Sequence, residues 1–321
     1  MDYTEYTSIK NRFNGTPNLC DLFKLIAIET WKRIEFAYLK PGVKIYETTI
    51  TQNLIFTINA YNDQYNLNIE IFEADDEKTN GNDFELIIKF PKEGIEYYAP
   101  IQAKKVYKNE KYTSMDHGNQ IATLINYAAD RNAIPFYLLY NFSPDVTHNS
   151  VNYPSPFELT GCTLIKAEHL FNNYYNQRTI YKRDGTTTLG WQIPNFENLN
   201  PIPSFPWHQI VCPDSAQSLL ELLFAKDIAV GIDLNNIDKS KNNYGFFPLD
   251  SFKENKGWTS IKSLSAPSNK IDKINDEIYY RVEHDIDNIS KAKNNIDKLK
   301  QESERNYPEF LPKSRIIISK G

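Results

Sequence analysis

The strongest constraint on the fold is a continuous apolar segment at 134–142, with the sequence IPFYLLYNF. A strand that is apolar at almost every position, instead of at alternate ones, has to be covered on both faces. We therefore expect a central strand here, in a sheet that carries helices. Amphipathic helices and alternating strands precede this segment in the order α-β-β-β-α-β, which predicts an α/β fold.

Hydrophobic periodicity predicts the individual elements. Apolar residues at helical spacing predict helices at 19–39, 46–60, 114–131, 167–175 and 215–224. Alternation and β-branched runs predict strands near 67–71 and at 84–90, 97–107, 163–165 and 315–318, the second and third joined by a hairpin loop at 91–94. Residues 179–213 contain five prolines and are predicted to be rich in loops.

Length and spacing also set the domain organisation. The chain has 321 residues, which fits one large domain or two small ones. No flexible linker is visible, so we expect a core at 1–165 and an elaboration of the same domain at 166–321. The elaboration includes a long amphipathic helix at 268–303.

Composition excludes several classes of protein. A net charge of −5 excludes a wholly basic nucleic-acid coat but leaves room for a local basic groove. No apolar run reaches the roughly 18 residues of a membrane span, and the first residues lack a signal region. Cys20, Cys162 and Cys212 are odd in number and widely spaced, which predicts neither a disulfide framework nor a thiolate zinc site, and favours the cytoplasm. Neither the five histidines nor the glycines form a zinc, nucleotide-binding or serine-hydrolase motif.

Chemically informative residues cluster at the predicted hairpin. Asp83 begins its first strand, and Gln102 and Lys104 share one face of its second. An acid, an amide and an ammonium would then converge at one edge of the sheet. Oxygen ligands of this kind suit Mg²⁺, which uses one or two carboxylates together with substrate phosphates. A neighbouring lysine can stabilise charge on a phosphate under attack.

This order of elements, with Asp83 followed by Gln102-Ala103-Lys104, resembles the PD-(D/E)XK nuclease superfamily in the QxK variant of Mrr-type branches. The resemblance implies a restriction-endonuclease-like mixed sheet with an αβββαβ core flanked by helices. It implies that Asp83, Gln102 and Glu47 hold Mg²⁺, or Mn²⁺ in its place, and that Lys104 assists the attacking water. Gln120 resembles a polar residue near the site in these branches. Glu77 and Glu85 are auxiliary candidates.

More of the chain is similar to an uncharacterised bacterial family within this superfamily, through Tyr46–Thr51, Gly161-Cys162-Thr163-Leu164 and Pro206-Trp207. The resemblance implies a deoxyribonuclease acting on double-stranded DNA, with a role in anti-phage defence and a defence-system partner protein. Two alternatives stay open. One is a catalytically silent subunit for nucleic-acid binding or assembly, and the other is an RNase.

The apolar stripe of the helix at 268–303 recurs with a mean step close to 3.5, as in seams between helices. It packs either on its own subunit or on a second copy. We predict a homo-oligomer, most simply a dimer, with Ile278 and Ile286 in the interface. Light scattering on the wild type and on the Ile278→Glu/Ile286→Glu variant would measure the change in mass.

Overall fold

A computed structural model describes residues 18–74, 83–116, 120–148, 157–175, 178–181, 185–228, 232–237, 244–252, 258–261 and 313–321. The described helices are α1 (Leu19–Leu39), α2 (Glu47–Tyr65), α3 (Gln120–Ala129), α4 (Pro144–His148), α5 (Ala167–Tyr174), α6 (Phe196–Leu199), α7 (His208–Val211) and α8 (Ala216–Ala225). Short 3-10 turns lie at Pro91–Glu93, Thr113–Asp116, Phe157–Gly161 and Leu234–Asn236.

The strands are β1 (Ile69–Ala74), β2 (Phe84–Phe90), β3 (Ile95–Lys105), β4 (Phe136–Tyr140), β5 (Cys162–Lys166), β6 (Arg178–Tyr181), β7 (Thr187–Gly190), β8 (Phe205–Pro206), β9 (Phe246–Pro248), β10 (Trp258–Ser260) and β11 (Ser314–Ser319). All but β6 and β7 form one mixed sheet, in the order β10-β1-β11-β2-β3-β4-β5-β8 with β9 beside β3. The pairs β11–β2 and β3–β4 are parallel, and the others are antiparallel. The predicted α/β class is confirmed.

The apolar segment at 134–142 contains β4, which is buried at every position. As predicted, it is an internal strand of the sheet, with β3 on one side and β5 on the other. At β2, alternate side chains belong to different apolar clusters. Leu86 and Ile88 are part of the larger cluster, which includes most of the buried apolar side chains of α1 and α2, whereas Ile87 belongs to a smaller one with Tyr98 and Tyr127.

The predicted bounds are confirmed for α1 and β2, and shift elsewhere. Helix α2 buries one stripe through Ile50, Leu54 and Ile58. It runs to Tyr65, past the predicted end at 60, and Tyr61 in this extension packs against the larger apolar cluster. It ends at Asn66, whose φ of 51° is left-handed. The predicted helix at 114–131 is shorter, with a 3-10 turn at Thr113–Asp116 and α3 only from Gln120. The predicted strand 97–107 lies two residues earlier, at Ile95–Lys105.

The C-terminal strand β11 lies inside the sheet, between β1 and β2. Its register places Ser314 opposite Phe84 and opposite Glu73, so the start of β11 lies beside the start of β2. Strands β8, β9 and β10 also come from the C-terminal half. The ranges predicted as core and elaboration therefore contribute to one sheet, and the last strand is at its middle.

Helix α1 is held by two of the segments quoted for the bacterial family. Gly161 passes so close to α1 that an added Cβ would collide with the backbone of Ala27, so only glycine fits there. The Trp207 indole Nε1 donates to the carbonyl oxygen of Phe23 at 2.8 Å. These two segments therefore position the helix and lie outside the site described below.

The prediction of no disulfide is wrong, because Cys20 and Cys212 are bonded across 192 residues of sequence. Their Cα atoms are 4.6 Å apart, since the first turn of α1 packs against α7. Sequence spacing alone does not show this contact. Cys162 is a free, fully buried thiol.

The helix predicted at 268–303, with Ile278 and Ile286, lies outside the described residues, as does Glu77. Among the residues that are described, no helix has the length and apolar character needed to cross a membrane.

Candidate active site

The β2–β3 hairpin fixes the position of Asp83. Its register pairs Phe84 with Ile101, and the Asp83 backbone N–H donates to the Ile101 carbonyl oxygen at 2.8 Å. The Asp83 carboxylate then lies beside the next residues of β3. Oδ2 accepts from the Ala103 backbone N–H at 2.8 Å and from Gln102 Nε2 at 2.5 Å. The predicted convergence of acid and amide is therefore present in the structure.

A second carboxylate reaches the same strand from α2. Glu47 occupies the first turn of this helix, where the helix dipole favours a negative charge. Its Oε2 accepts from the Lys105 backbone N–H at 3.1 Å, and its Oε1 lies 3.5 Å from Lys104 Nζ. Glu47 is 57 residues from Lys104 in sequence, so packing of the helix on the sheet brings them together.

Lys104 is the ammonium at the centre of this arrangement. Its side chain is buried, with Nζ 3.5 Å from Glu47 and 3.1 Å from the Gln120 Oε1 at the start of α3. Two elements therefore orient the same ammonium, one by charge and one by a neutral hydrogen bond. Gln120 lies where the resemblance implied.

Both carboxyl groups are held in an environment that disfavours their charge. Burial raises the pKa of Asp83, against the opposing effects of the Ala103 N–H, Lys313 and Lys104. Burial also raises the pKa of Glu47; Lys104 opposes the rise, and the nearby Asp83 carboxylate adds to it. Partial burial of two acids near each other is typical of sites that bind cations or perform proton chemistry.

A cavity of about 510 Å³ opens beside these carboxylates. Glu47 and Asp83 line it together with Thr51 and Gln52 of α2. The cavity also brings in Glu73 and Lys313, two residues that the sequence reasoning missed. Lys313 Nζ is 3.6 Å from Asp83 Oδ1, a contact that follows from β11 pairing with β2.

Glu85 is not part of this site, which corrects its assignment as an auxiliary residue. Its carboxylate accepts from Arg315 Nε at 2.8 Å, from the Tyr98 hydroxyl at 2.7 Å and from the Tyr127 hydroxyl at 2.6 Å. Two residues of strand span about 6.6 Å, which carries Glu85 away from the strand end and into the smaller apolar cluster. Glu85 and Arg315 form a buried ion pair that has a structural role.

Lys105, which follows Lys104 at the end of β3, is mostly enclosed by the protein. Its side chain is buried, Nζ donates to the Val106 carbonyl oxygen at 3.2 Å, and it lies 4.1 Å from the centre of the Tyr107 ring. Burial lowers the pKa of Lys105, and the charge of Glu47 opposes that effect.

The donor set suits a hard cation better than a soft one. Within the described ranges, no group of three or more His, Cys, Asp or Glu side chains is arranged to hold a metal ion. Two oxygen-donating acids and an amide remain, and Mg²⁺ sites commonly use one or two carboxylates, with water and phosphate completing the shell. Gln102 appears here as a donor to Asp83, so its direct ligation stays a prediction.

The pH dependence of stability tests the state of Asp83. A raised pKa in the folded protein means that the fold binds this proton more tightly than the unfolded chain does. In EDTA, we expect Asp83→Asn to be at least as stable as the wild type near pH 8. The wild type should gain relative stability as pH falls through the raised pKa towards 3.8, the ordinary value. Urea unfolding across pH measures the difference. A difference in stability between Asp83→Asn and the wild type that shrinks towards high pH, instead of towards low pH, would contradict the assignment.

The fold and the site define a mixed α/β protein with two partly buried carboxylates and two lysines at one end of a hairpin. The chain belongs to a family of unknown function, DUF6615, whose model matches residues 19–312. A comparison with curated proteins gives no significant match.

Proposed function

We propose that this protein is a metal-dependent nuclease that hydrolyses phosphodiester bonds, with double-stranded DNA as the favoured substrate. The observation that carries the proposal is the position of Lys104, whose ammonium lies between Glu47 and Gln120 beside the Asp83 carboxylate. A restriction-endonuclease-like core and a role in anti-phage defence are parts of the same proposal. Both rest on the resemblance of the sequence.

The residues that would hold Mg²⁺ are Asp83 and Glu47, with the amide of Gln102 as a third candidate. When bound, the ion would polarise the phosphate and lower the pKa of a coordinated water. The raised pKa values of the two acids fit this role, because a divalent cation compensates the charges that burial disfavours. Mn²⁺ prefers the same oxygen ligands and could substitute.

The chain's own groups suit attack on a phosphate. Lys104 presents an ammonium that Glu47 and Gln120 hold in place, so it can orient a water or stabilise developing charge without reorganising. Gln102 and the Ala103 N–H fix the Asp83 carboxylate through its Oδ2 atom. Lys313, 42% exposed at the rim of the cavity, can bind a phosphate oxygen.

A substrate panel tests the proposal directly. The purified full chain is incubated with supercoiled plasmid, linear duplex, single-stranded DNA or RNA, each with Mg²⁺, Mn²⁺ or EDTA. We expect metal-dependent cleavage of the duplex DNA. Cleavage of RNA alone would favour the RNase alternative. Binding without cleavage under any metal would favour the silent subunit and overturn the proposal.

Lys313 gives a further prediction. Lys313→Met should reduce the rate of DNA cleavage roughly 10- to 100-fold, since a hydrogen bond to a charged group contributes roughly 1.5–3 kcal/mol. Initial rates of plasmid nicking measure the effect. Lys92→Met is the matched control, because Lys92 is exposed in the hairpin turn at the opposite end of β2 from Asp83. Equal rates for both variants would exclude Lys313 from the site.

A further inference from the structure

A second cavity, of about 410 Å³, adjoins the candidate active site. It lies between the end of α1, the loop before α2 and the end of β3. Glu47 lines both this cavity and the one that contains Asp83. A ligand in the second cavity would therefore be next to whatever the Asp83 site binds. Its volume is within the roughly 300–1,000 Å³ of small-ligand pockets.

The walls of this second cavity are aromatic, and we call it the aromatic pocket. Tyr46 and Tyr107 line its mouth and are 63% and 41% exposed. Tyr38 and the buried Phe142 lie deeper and pack on each other, with ring centres 5.3 Å apart. Exposed rings around a concave site, next to polar chemistry, are typical of surfaces that bind a ligand.

The charge of the aromatic pocket is positive. Lys44, Lys105 and Lys108 line it. Lys105 and Lys108 donate to neutral backbone carbonyl oxygens, those of Val106 at 3.2 Å and Tyr38 at 3.3 Å, and the charge of Glu47 also acts on Lys105. Among the described residues that line the pocket, Glu47 is the one acid, and it already accepts from Lys104 and from a backbone N–H.

We propose that the aromatic pocket holds an unstacked nucleobase, belonging to the nucleotide beside the phosphate at the Asp83 site. The inference rests on the proposed nuclease function. Aromatic side chains stack on bases of any sequence, and neighbouring lysines bind the flanking phosphates. A paired duplex buries its bases, so occupation of the pocket requires a base that is unpaired or flipped out. In double-stranded DNA, the favoured substrate, this base would therefore have to be flipped out of the helix, which costs least at a mismatch.

A binding experiment in EDTA tests the pocket without catalysis. The probe is a short DNA strand in which one residue carries the fluorescent base 2-aminopurine and every other residue is abasic. Stacking should quench its fluorescence when the full-length protein binds. A fully abasic strand of equal length and charge serves as the competitor, and we expect it to bind about tenfold more weakly.

Substitutions locate the effect. Tyr46→Leu and Tyr107→Leu keep an apolar side chain but remove the ring, and each should weaken binding of the 2-aminopurine strand about tenfold. Tyr181→Leu is the control, because Tyr181 is 80% exposed and lines neither cavity. Affinity for the fully abasic strand should change little in all three variants.

The outcomes separate this inference from the proposed function. Equal affinity of the wild type for the base-bearing and abasic strands would overturn the nucleobase pocket, and it would leave the metal-dependent cleavage untouched. Base-dependent binding that is lost in Tyr181→Leu, but kept in the two pocket variants, would also overturn it. Base-dependent binding at the pocket without any cleavage would instead defeat the nuclease proposal. If a variant fails to fold, the comparison of the two strands on the wild type still decides.

Discussion

Asp83→Asn and Lys104→Met should each reduce Mg²⁺-dependent DNA cleavage by at least about 10²–10³-fold, the size of effect that follows removal of one preorganised charge-stabilising group. Asp83→Asn removes a charged oxygen ligand but keeps an acceptor for the Ala103 N–H. Lys104→Met keeps most of the volume of a buried side chain and removes its ammonium. Single-turnover cleavage of a labelled duplex, with enzyme in excess, measures both effects.

The controls separate loss of chemistry from loss of fold. Asp63→Asn and Lys92→Met change exposed residues of the same two types, and both should cleave at the wild-type rate. In EDTA, Asp83→Asn should bind DNA at least as tightly as the wild type, because it removes a negative charge next to the phosphate. An Asp83→Asn variant that is folded, binds DNA and still cleaves at the wild-type rate would remove Asp83 from the mechanism.

The parts of the site that sequence reasoning identified depend on local pairing. Asp83 and Gln102 belong to consecutive strands, and a hairpin brings its two strands together in a defined register. Reading the strands from alternation is therefore enough to place the acid beside the amide. Glu47 is different, because nothing in hydrophobic periodicity says how α2 packs on β3. Its place came from the resemblance, and the structure puts it beside Lys104.

Contacts over long sequence separations were not predictable in this way. Lys313 reaches Asp83 only because β11 pairs with β2 in the sheet. These two strands are far apart in sequence, since Glu85 of β2 and Arg315 of β11 are separated by 230 residues. The sequence of a short strand indicates its own conformation but does not indicate which strand it pairs with. The Cys20–Cys212 bond was missed for the same reason.

The proline-rich region illustrates another limit. Residues 179–213 were expected to be mostly loop, yet a buried hydrogen-bond network ties part of them to the sheet. The Asn200 Oδ1 accepts from Thr163 Oγ1 at 2.9 Å and from Ser204 Oγ at 2.7 Å, and Asn200 Nδ2 donates to the Tyr112 hydroxyl at 3.1 Å. Polar side chains in such networks have no periodic pattern, although burying them unpaired would be costly.

The largest loss of stability is expected at Glu85, two residues from Asp83. Glu85→Leu should lower the free energy of unfolding by about 3–5 kcal/mol, the usual cost of leaving one partner of a buried ion pair without the other. The partner that loses this carboxylate is Arg315, whose side chain is buried and lies over the Trp258 ring, with the guanidinium 4.5 Å from the ring centre. Two tyrosine hydroxyls lose their acceptor as well. Urea unfolding at pH 7 measures the loss.

A double variant identifies the physical cause. If the cost comes from removing the Glu85 carboxylate from the Arg315 guanidinium, Glu85→Leu/Arg315→Met should be more stable than Glu85→Leu alone, because it also removes the buried positive charge. Lys24→Met provides the comparison at the surface, since the Lys24–Asp21 pair, 3.6 Å apart and about one-third exposed, should contribute less than about 1 kcal/mol.

At a temperature where Glu85→Leu remains folded, its cleavage rate should match the wild type. Loss of cleavage from a folded Glu85→Leu protein would instead show that Glu85 contributes to catalysis. The assignment of Asp83 to chemistry and of Glu85 to stability alone would then be wrong.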